Sequence, residues 1–211
     1  MYSTNDWYYF IDALDKNTCN KIRNSAKNKW QKSTIDTKHD EPTDEERITG
    51  VEPIPGIDKK VRISDVVWIT DQWIYNTIWP YMEEANERAG WKYDISSAES
   101  MQITRYKKGG FYYFHKDGKS DHLSVYDEPD NEFTHGYVRK LSMTVLLNEN
   151  YEGGEFQFAT YNKEKCEIQT PEFNKKGSII VFPSDMEHRG APVTKGIRYS
   201  LVTWFLGPPF R

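Results

Sequence analysis

Phe111-Tyr112-Tyr113-Phe114-His115-Lys116-Asp117-Gly118 is the stretch on which the reading of this chain turns. Its aromatic run has strand composition, and Asp117-Gly118-Lys119 is a turn signal that closes it. Alternate side chains of a strand leave the same face, so His115 and Asp117 project to one side. A second run of the same kind, Ser178 to Pro183, leads through Ser184-Asp185 to His188. Around these two lie further short runs: Met101 to Tyr106, Leu141 to Asn148, Glu155 to Ala159 and Arg198 to Leu206. Glu152-Gly153-Gly154 and Lys175-Lys176-Gly177 mark turns between them. Many short strands with no helices between them predict a mainly β fold, a sandwich or a jelly roll, from about Ser100 onward.

The first hundred residues read differently. Residues 17 to 30 predict a helix, capped by Asn17 or Thr18, with Cys19, Ile22 and Ala26 at helical spacing. Lys32 to Asp58 is polar and carries the acidic run Asp40-Glu41-Pro42-Thr43-Asp44-Glu45-Glu46; it reads as a solvated loop, with a substrate-covering lid as the second reading. Val61 to Ile69 predicts one strand. Thr70 or Asp71 then caps a second helix through Ile74, Ile78, Met82 and Ala85 towards Gly90, which Pro80 should kink or divide. At 211 residues the chain fits one domain, 1–211, with 1–99 as a support region and mobile loop, and 100–211 as the core.

Several classes are disfavoured. A formal charge of −4 leaves no basic footprint, so nucleic acid is not expected as an obligatory partner. No apolar run is long enough for a bilayer, and the amino terminus shows no secretory signal, so a cytoplasmic location without membrane contact is expected. Cys19 and Cys166 lie far apart without metal-type spacing and read as two reduced thiols.

His115, Asp117 and a distant His188 make a two-histidine, one-carboxylate set, which suits a non-haem Fe(II) centre with open positions for an oxygen-activating enzyme. Arg198 opens a strand in which Arg198, Ser200, Val202 and Trp204 share a face. An inward-facing arginine is costly unless it meets an anion, and a bidentate grip on a carboxylate satisfies it. A pair of unrelated surface histidines and an outward arginine are the bland alternatives. His39, His122 and His135 sit in polar stretches and read as solvated.

Tyr106-Lys107-Lys108-Gly109-Gly110-Phe111-Tyr112-Tyr113-Phe114-His115-Lys116-Asp117 resembles the Tyr-x-x-Gly-x-x-Tyr-x-x-His-x-Asp signature of Fe(II)- and 2-oxoglutarate-dependent dioxygenases, in their prolyl 4-hydroxylase-like branch. Arg139 to Asn148 followed by Tyr151-Glu152-Gly153-Gly154-Glu155 resembles its next strand and turn. His188 through Trp204 resembles the segment of the third ligand and the co-substrate cation. The likeness spans roughly Met101 to Leu206, about half the chain, in the style of short bacterial and phage versions.

The resemblance implies a double-stranded β-helix (a cupin-like jelly roll) braced by the early helices. It implies Fe(2+) on His115, Asp117 and His188, and 2-oxoglutarate held by Arg198 with the hydroxyls of Tyr106 and Ser142. Tyr112 and Trp204 would face the substrate, a prolyl residue in a peptide or protein. O2 is consumed, succinate and CO2 are released, and ascorbate is an accessory. Two departures bear on the substrate. Collagen-type relatives carry lysine where this chain has Arg198, which weakens a collagen-like assignment. Nucleic-acid demethylases carry a second arginine six residues on, where this chain has Trp204. Asp117 itself separates the chain from related halogenases, which lack the carboxylate, and so favours hydroxylation. Hydroxylation of a free amino acid or another side chain, and a non-catalytic jelly-roll binding module, are the alternatives.

Overall fold

The central strands are buried on both faces, and each face has its own use. The computed structural model describes residues 5–27, 29–33, 61–118, 124–162 and 165–210. Its elements are β1 (Tyr8–Phe10), α1 (Lys16–Ser25), β2 (Gln31–Lys32), β3 (Arg62–Ile63), β4 (Asp65–Ile69), α2 (Gln72–Arg88), β5 (Ser97–Ala98), β6 (Met101–Lys107), β7 (Phe111–His115), β8 (Val138–Leu146), β9 (Tyr151–Gly153), β10 (Phe156–Asn162), β11 (Lys165–Gln169), β12 (Ile179–Pro183), β13 (His188–Gly190) and β14 (Val193–Gly207).

A large antiparallel sheet runs β1-β12-β8-β14-β6-β4-β2, with β5 and β9 also on β14. A smaller antiparallel sheet runs β11-β10-β13-β7-β3. On the large sheet, Leu141, Met143, Val145, Ile179, Val181, Leu201 and Phe205 point outward into a core closed by both helices. Ile74, Ile78, Met82 and Ala85 of α2 and Cys19 and Ile22 of α1 form the helical side of that core, which confirms the bracing role. The alternate residues Leu146, Ile180 and Phe182 point the other way and meet Phe156 and Phe158 of the small sheet. The two sheets therefore face each other around a second, aromatic core, giving the jelly-roll arrangement of a double-stranded β-helix.

Local differences from the sequence reading have physical causes. Helix α1 starts at Lys16 rather than residue 17, and its cap is Asp15, whose carboxylate accepts from Asn17 N at 2.7 Å and Thr18 N at 3.0 Å. It stops at Ser25, well short of residue 30, because the chain must turn to pair Gln31 with Val66. Helix α2 is continuous through Pro80, which is exposed beside an exposed Asn76, so water can serve the carbonyl that loses its donor. Asp71 caps it by position without a side-chain bond, and Gly90 closes it at φ 80°.

The single strand expected over Val61 to Ile69 is two. Arg62–Ile63 pairs with β7 in the small sheet, and Asp65–Ile69 pairs with β6 in the large one. β1, β9, β11 and β13 were not legible as strands; three of them are three residues long and owe their form to their partners. Most of the acidic stretch, including Asp40 to Glu46, and both His39 and His122 lie outside the described residues. Among the described residues no helix is long and apolar enough to cross a membrane. Cys19 is buried and Cys166 exposed, both unpaired with each other.

Asp65 ties β2, β4 and β6 together. Lys32 Nζ lies 2.7 Å from one carboxylate oxygen and Arg105 Nη2 2.8 Å from the other, with Lys107 at 3.4 Å. Burial works against its charge, but the hydrogen bonds and charges of Lys32 and Arg105 outweigh it and bring the carboxyl from 3.8 to about 2. A depressed folded value stabilises the protein above the unfolded one and loses that contribution as pH falls. Asp65→Asn is therefore expected to cost about 2 kcal/mol at pH 7. In urea unfolding the two proteins should converge between pH 4 and about 2; equal midpoints at pH 7 would refute the claim.

Candidate metal centre and its pocket

β7 and β13 are neighbours in the small sheet, and their register places His188 directly opposite His115. Asp117, two residues past His115, is held by its amide on the Ser184 carbonyl at 2.9 Å. The three side chains converge although the last two are 71 positions apart in sequence. Asp117 Oδ1 is 3.7 Å from His115 Nε2 and Oδ2 is 3.6 Å from His188 Nε2. All three donor atoms lie within 4.8 Å of one another, a group able to hold a metal ion.

Each imidazole is oriented from behind. His115 Nδ1 is 2.8 Å from the Tyr113 carbonyl and His188 Nδ1 is 2.9 Å from that of Met186. A carbonyl only accepts, so Nδ1 of each ring carries the hydrogen and Nε2 turns a lone pair to the centre. Burial first, and then His188, bring His115 from 6.5 to about 3, so it is neutral. Burial raises the Asp117 carboxyl, but His188, His115 and Arg139 outweigh it and hold it below its ordinary value. Neutral imidazoles and a carboxylate are the forms in which these groups ligate a divalent cation.

Ser142 sits here. Its hydroxyl donates to Asp117 Oδ2 at 2.7 Å and lies 2.9 Å from Ser184 Oγ. In this structure the hydroxyl is thus engaged with Asp117 and Ser184, and its register partner on β14 is Trp204, six residues from Arg198. Ser142→Ala should weaken Fe(II) binding about 10- to 100-fold by freeing the carboxylate to rotate, as measured by anaerobic metal titration.

The triad opens into a cavity of about 380 Å³ lined also by Tyr106, Tyr112, Thr144, Arg198, Ser200, Val202 and Trp204. The alternation read along β14 therefore faces the cavity as expected. Arg198 is only 3% exposed. Its Nη1 reaches Ser200 Oγ at 3.3 Å, and its buried Nε has no partner. No carboxylate pairs with it among the described residues. Tyr106 is its cross-strand neighbour on β6, with the guanidinium 5.5 Å from the ring. The Gly153-Gly154 turn is needed beside it. Gly154 has φ 69°, and a Cβ there would stand 2.9 Å from Val193 and 3.1 Å from Arg198 Cδ.

A facially arranged N,N,O donor set fits Fe(II) with open positions, and a buried guanidinium with an orphaned N–H fits one end of a dicarboxylate. Tyr112 stacks on His115 with centroids 3.5 Å apart. Trp204 lies under the Arg139 guanidinium at 4.2 Å.

Other pocket residues escaped the sequence reading. Arg139 donates to both oxygens of Glu99 at 2.6 Å, and Tyr126 donates to the same carboxylate at 2.7 Å. By simple alternation Arg139 belongs with Leu141 on the outer face. A bulge in the β8–β14 register, where Leu206 faces Arg139 directly after Phe205 faces Leu141, turns it inward instead. Arg62 and Gln102 also line the cavity; only the division of β3 from β4 reveals the first.

Comparison with known proteins agrees with this geometry. Residues 101–206 match the family model described as the 2OG-Fe(II) oxygenase superfamily. A PKHD-type hydroxylase of Xylella fastidiosa (strain M12) is 38% identical over 107 residues, which are 49% of this chain and 42% of that protein. The chain thus spans about two fifths of the length of such curated relatives. Among solved structures, the viral collagen prolyl hydroxylase of Paramecium Bursaria Chlorella virus-1, in its 2OG complex, superposes with a TM-score of 0.62 at 21% identity, covering 96% of this chain and 97% of that one. A Trichoplax adhaerens prolyl hydroxylase in complex with a hypoxia inducible factor peptide fragment gives 0.66 at 14% identity, covering 96% and 84%.

Proposed function

Because this chain belongs to the 2OG-Fe(II) oxygenase superfamily, we propose that it hydroxylates a prolyl residue, at C4, of a peptide or protein, converting 2-oxoglutarate and O2 to succinate and CO2. One observation carries the reading: the His115-Asp117-His188 group and the guanidinium of Arg198, whose buried Nε lacks a partner, open into the same cavity. In this reading His115, Asp117 and His188 hold Fe(2+). Arg198 binds the distal carboxylate of 2-oxoglutarate, with the Tyr106 hydroxyl beside it.

Bound iron supplies the redox chemistry that activates O2 and oxidises a C–H bond. The residues of the chain do the rest. Ser142 and the backbone acceptors of Tyr113 and Met186 keep the donor atoms aimed. Phe156 and Phe182 pack around His188 and keep water from that side. Burial pushes the Tyr112 phenol up to about 12, so it stays protonated and offers a hydrogen-bond donor to substrate. Trp204 and Arg139 give the opposite wall a flat, oriented surface, which suits the preformed shape of a proline segment. Ascorbate serves as an accessory reductant, and the setting is cytoplasmic.

The test is mass spectrometry of proline-containing peptides incubated with the protein, Fe(II), ascorbate and 2-oxoglutarate. A gain of one oxygen on proline supports the reading. Succinate release that leaves every peptide unmodified would move the activity to another substrate.

A further inference from the structure

Arg62 is a cation for which the proposed reaction has no use. Its position is set by the switch of the chain from β3 to β4, which brings it opposite Tyr112 on β7. Its Nε donates to Ser64 Oγ at 2.9 Å and its Nη2 to Gln102 Oε1 at 2.6 Å. The guanidinium lies 4.5 Å from the Tyr112 ring, which in turn stacks on His115. The residue is 9% exposed, lines the cavity, and meets no carboxylate among the described residues. Its third nitrogen, Nη1, makes no hydrogen bond among the described residues, and the side chain lines the cavity.

Charge accounting in the cavity shows what this nitrogen awaits. The lining carries the cations Arg62, Lys116, Arg139 and Arg198 against the carboxylates Glu99 and Asp117. Arg139 is neutralised by Glu99. In the reading proposed above, Arg198 takes one carboxylate of 2-oxoglutarate, while a divalent iron balances Asp117 and the other. Among the described residues, Arg62 and Lys116 then have no compensating carboxylate in the loaded site. A desolvated guanidinium with an open N–H selects for an anion, and a carboxylate is its best geometric match.

We propose that Arg62 is a substrate-specificity residue: it binds a carboxylate of the prime substrate on the wall opposite Arg198, beside the residue to be hydroxylated. The inference rests on the proposed function for the fate of the other charges. The carboxylate comes from an acidic side chain next to the target proline or from a free carboxyl terminus.

Calorimetry distinguishes these sources. The titrants are acetyl-Ala-Pro-Asp-Ala-amide against its Asn twin, and acetyl-Ala-Pro with a free carboxylate against its amide. Each is titrated into the anaerobic protein with Fe(II) and 2-oxoglutarate, and in parallel into the metal-free protein. At least one acid should bind about tenfold tighter than its neutral twin, and the pair showing this identifies the source. R62M should erase the preference while R62K keeps part of it, both with an unchanged thermal midpoint. Neutral twins binding as tightly as acids, preference surviving in R62M, or no binding by any peptide would each overturn the proposal. Absence of the visible band of the Fe(II)–2-oxoglutarate chelate would count against the proposed function instead, and the metal-free titration would still decide on Arg62.

Discussion

Asp117→Ala should bring 2-oxoglutarate turnover down by at least about 1,000-fold, together with a collapse of Fe(II) affinity. Asp117 supplies the only negative charge among the three donors, 3.7 and 3.6 Å from the two imidazole nitrogens. Without it, two imidazole rings with centroids 4.3 Å apart remain, and neither supplies a negative charge to balance a divalent ion. The loss should be local, because the bond from the Asp117 amide to the Ser184 carbonyl uses the backbone and survives the substitution. Succinate formation and anaerobic Fe(II) titration read the two effects, and circular dichroism shows that the sheets persist. Turnover at the wild-type rate would refute the metal assignment outright.

Arg198→Met should raise the concentration of 2-oxoglutarate needed for half-maximal turnover about 100-fold while leaving Fe(II) affinity within about twofold. A charge-assisted pair in a buried site is worth about 3 kcal/mol when one partner is removed, which is a factor of that size. Methionine keeps the apolar stem that packs beside Gly154 and removes only the guanidinium. The split between co-substrate and metal is the discriminating result, since general damage to the pocket would weaken both. An unchanged requirement for 2-oxoglutarate would mean that Arg198 does not hold it.

Legibility differed from element to element for physical reasons. The strands that bear the site showed themselves through period two: Phe111 to His115 matches β7, and the cavity-facing set Arg198, Ser200, Val202 and Trp204 was readable because β14 alternates without interruption there. Ser142 was read as a hydroxyl that helps hold 2-oxoglutarate; its bonds to Asp117 and Ser184 depend on segments far apart in the chain, which no local pattern shows. Arg139 was out of reach, because a single bulge reverses the phase of β8 and periodicity carries no sign of it. β9 and β13, three residues each, have too little pattern of their own; their pairing partners make them strands.

The amino-acid sequence by itself determined which chemistry is available: two imidazoles and a carboxylate at strand ends, a cation on an inward face, and enough alternating apolar residues to close a jelly roll. These are local properties, written in residue type and in the two-residue repeat of an extended chain. Only the tertiary structure decided which groups meet. Registers between distant strands place His188 on His115, hand Ser142 to Asp117, pair Arg139 with Glu99 and bring Arg62 to the metal side of the cavity. Such pairings depend on contacts between residues far apart in the chain, which no local pattern encodes.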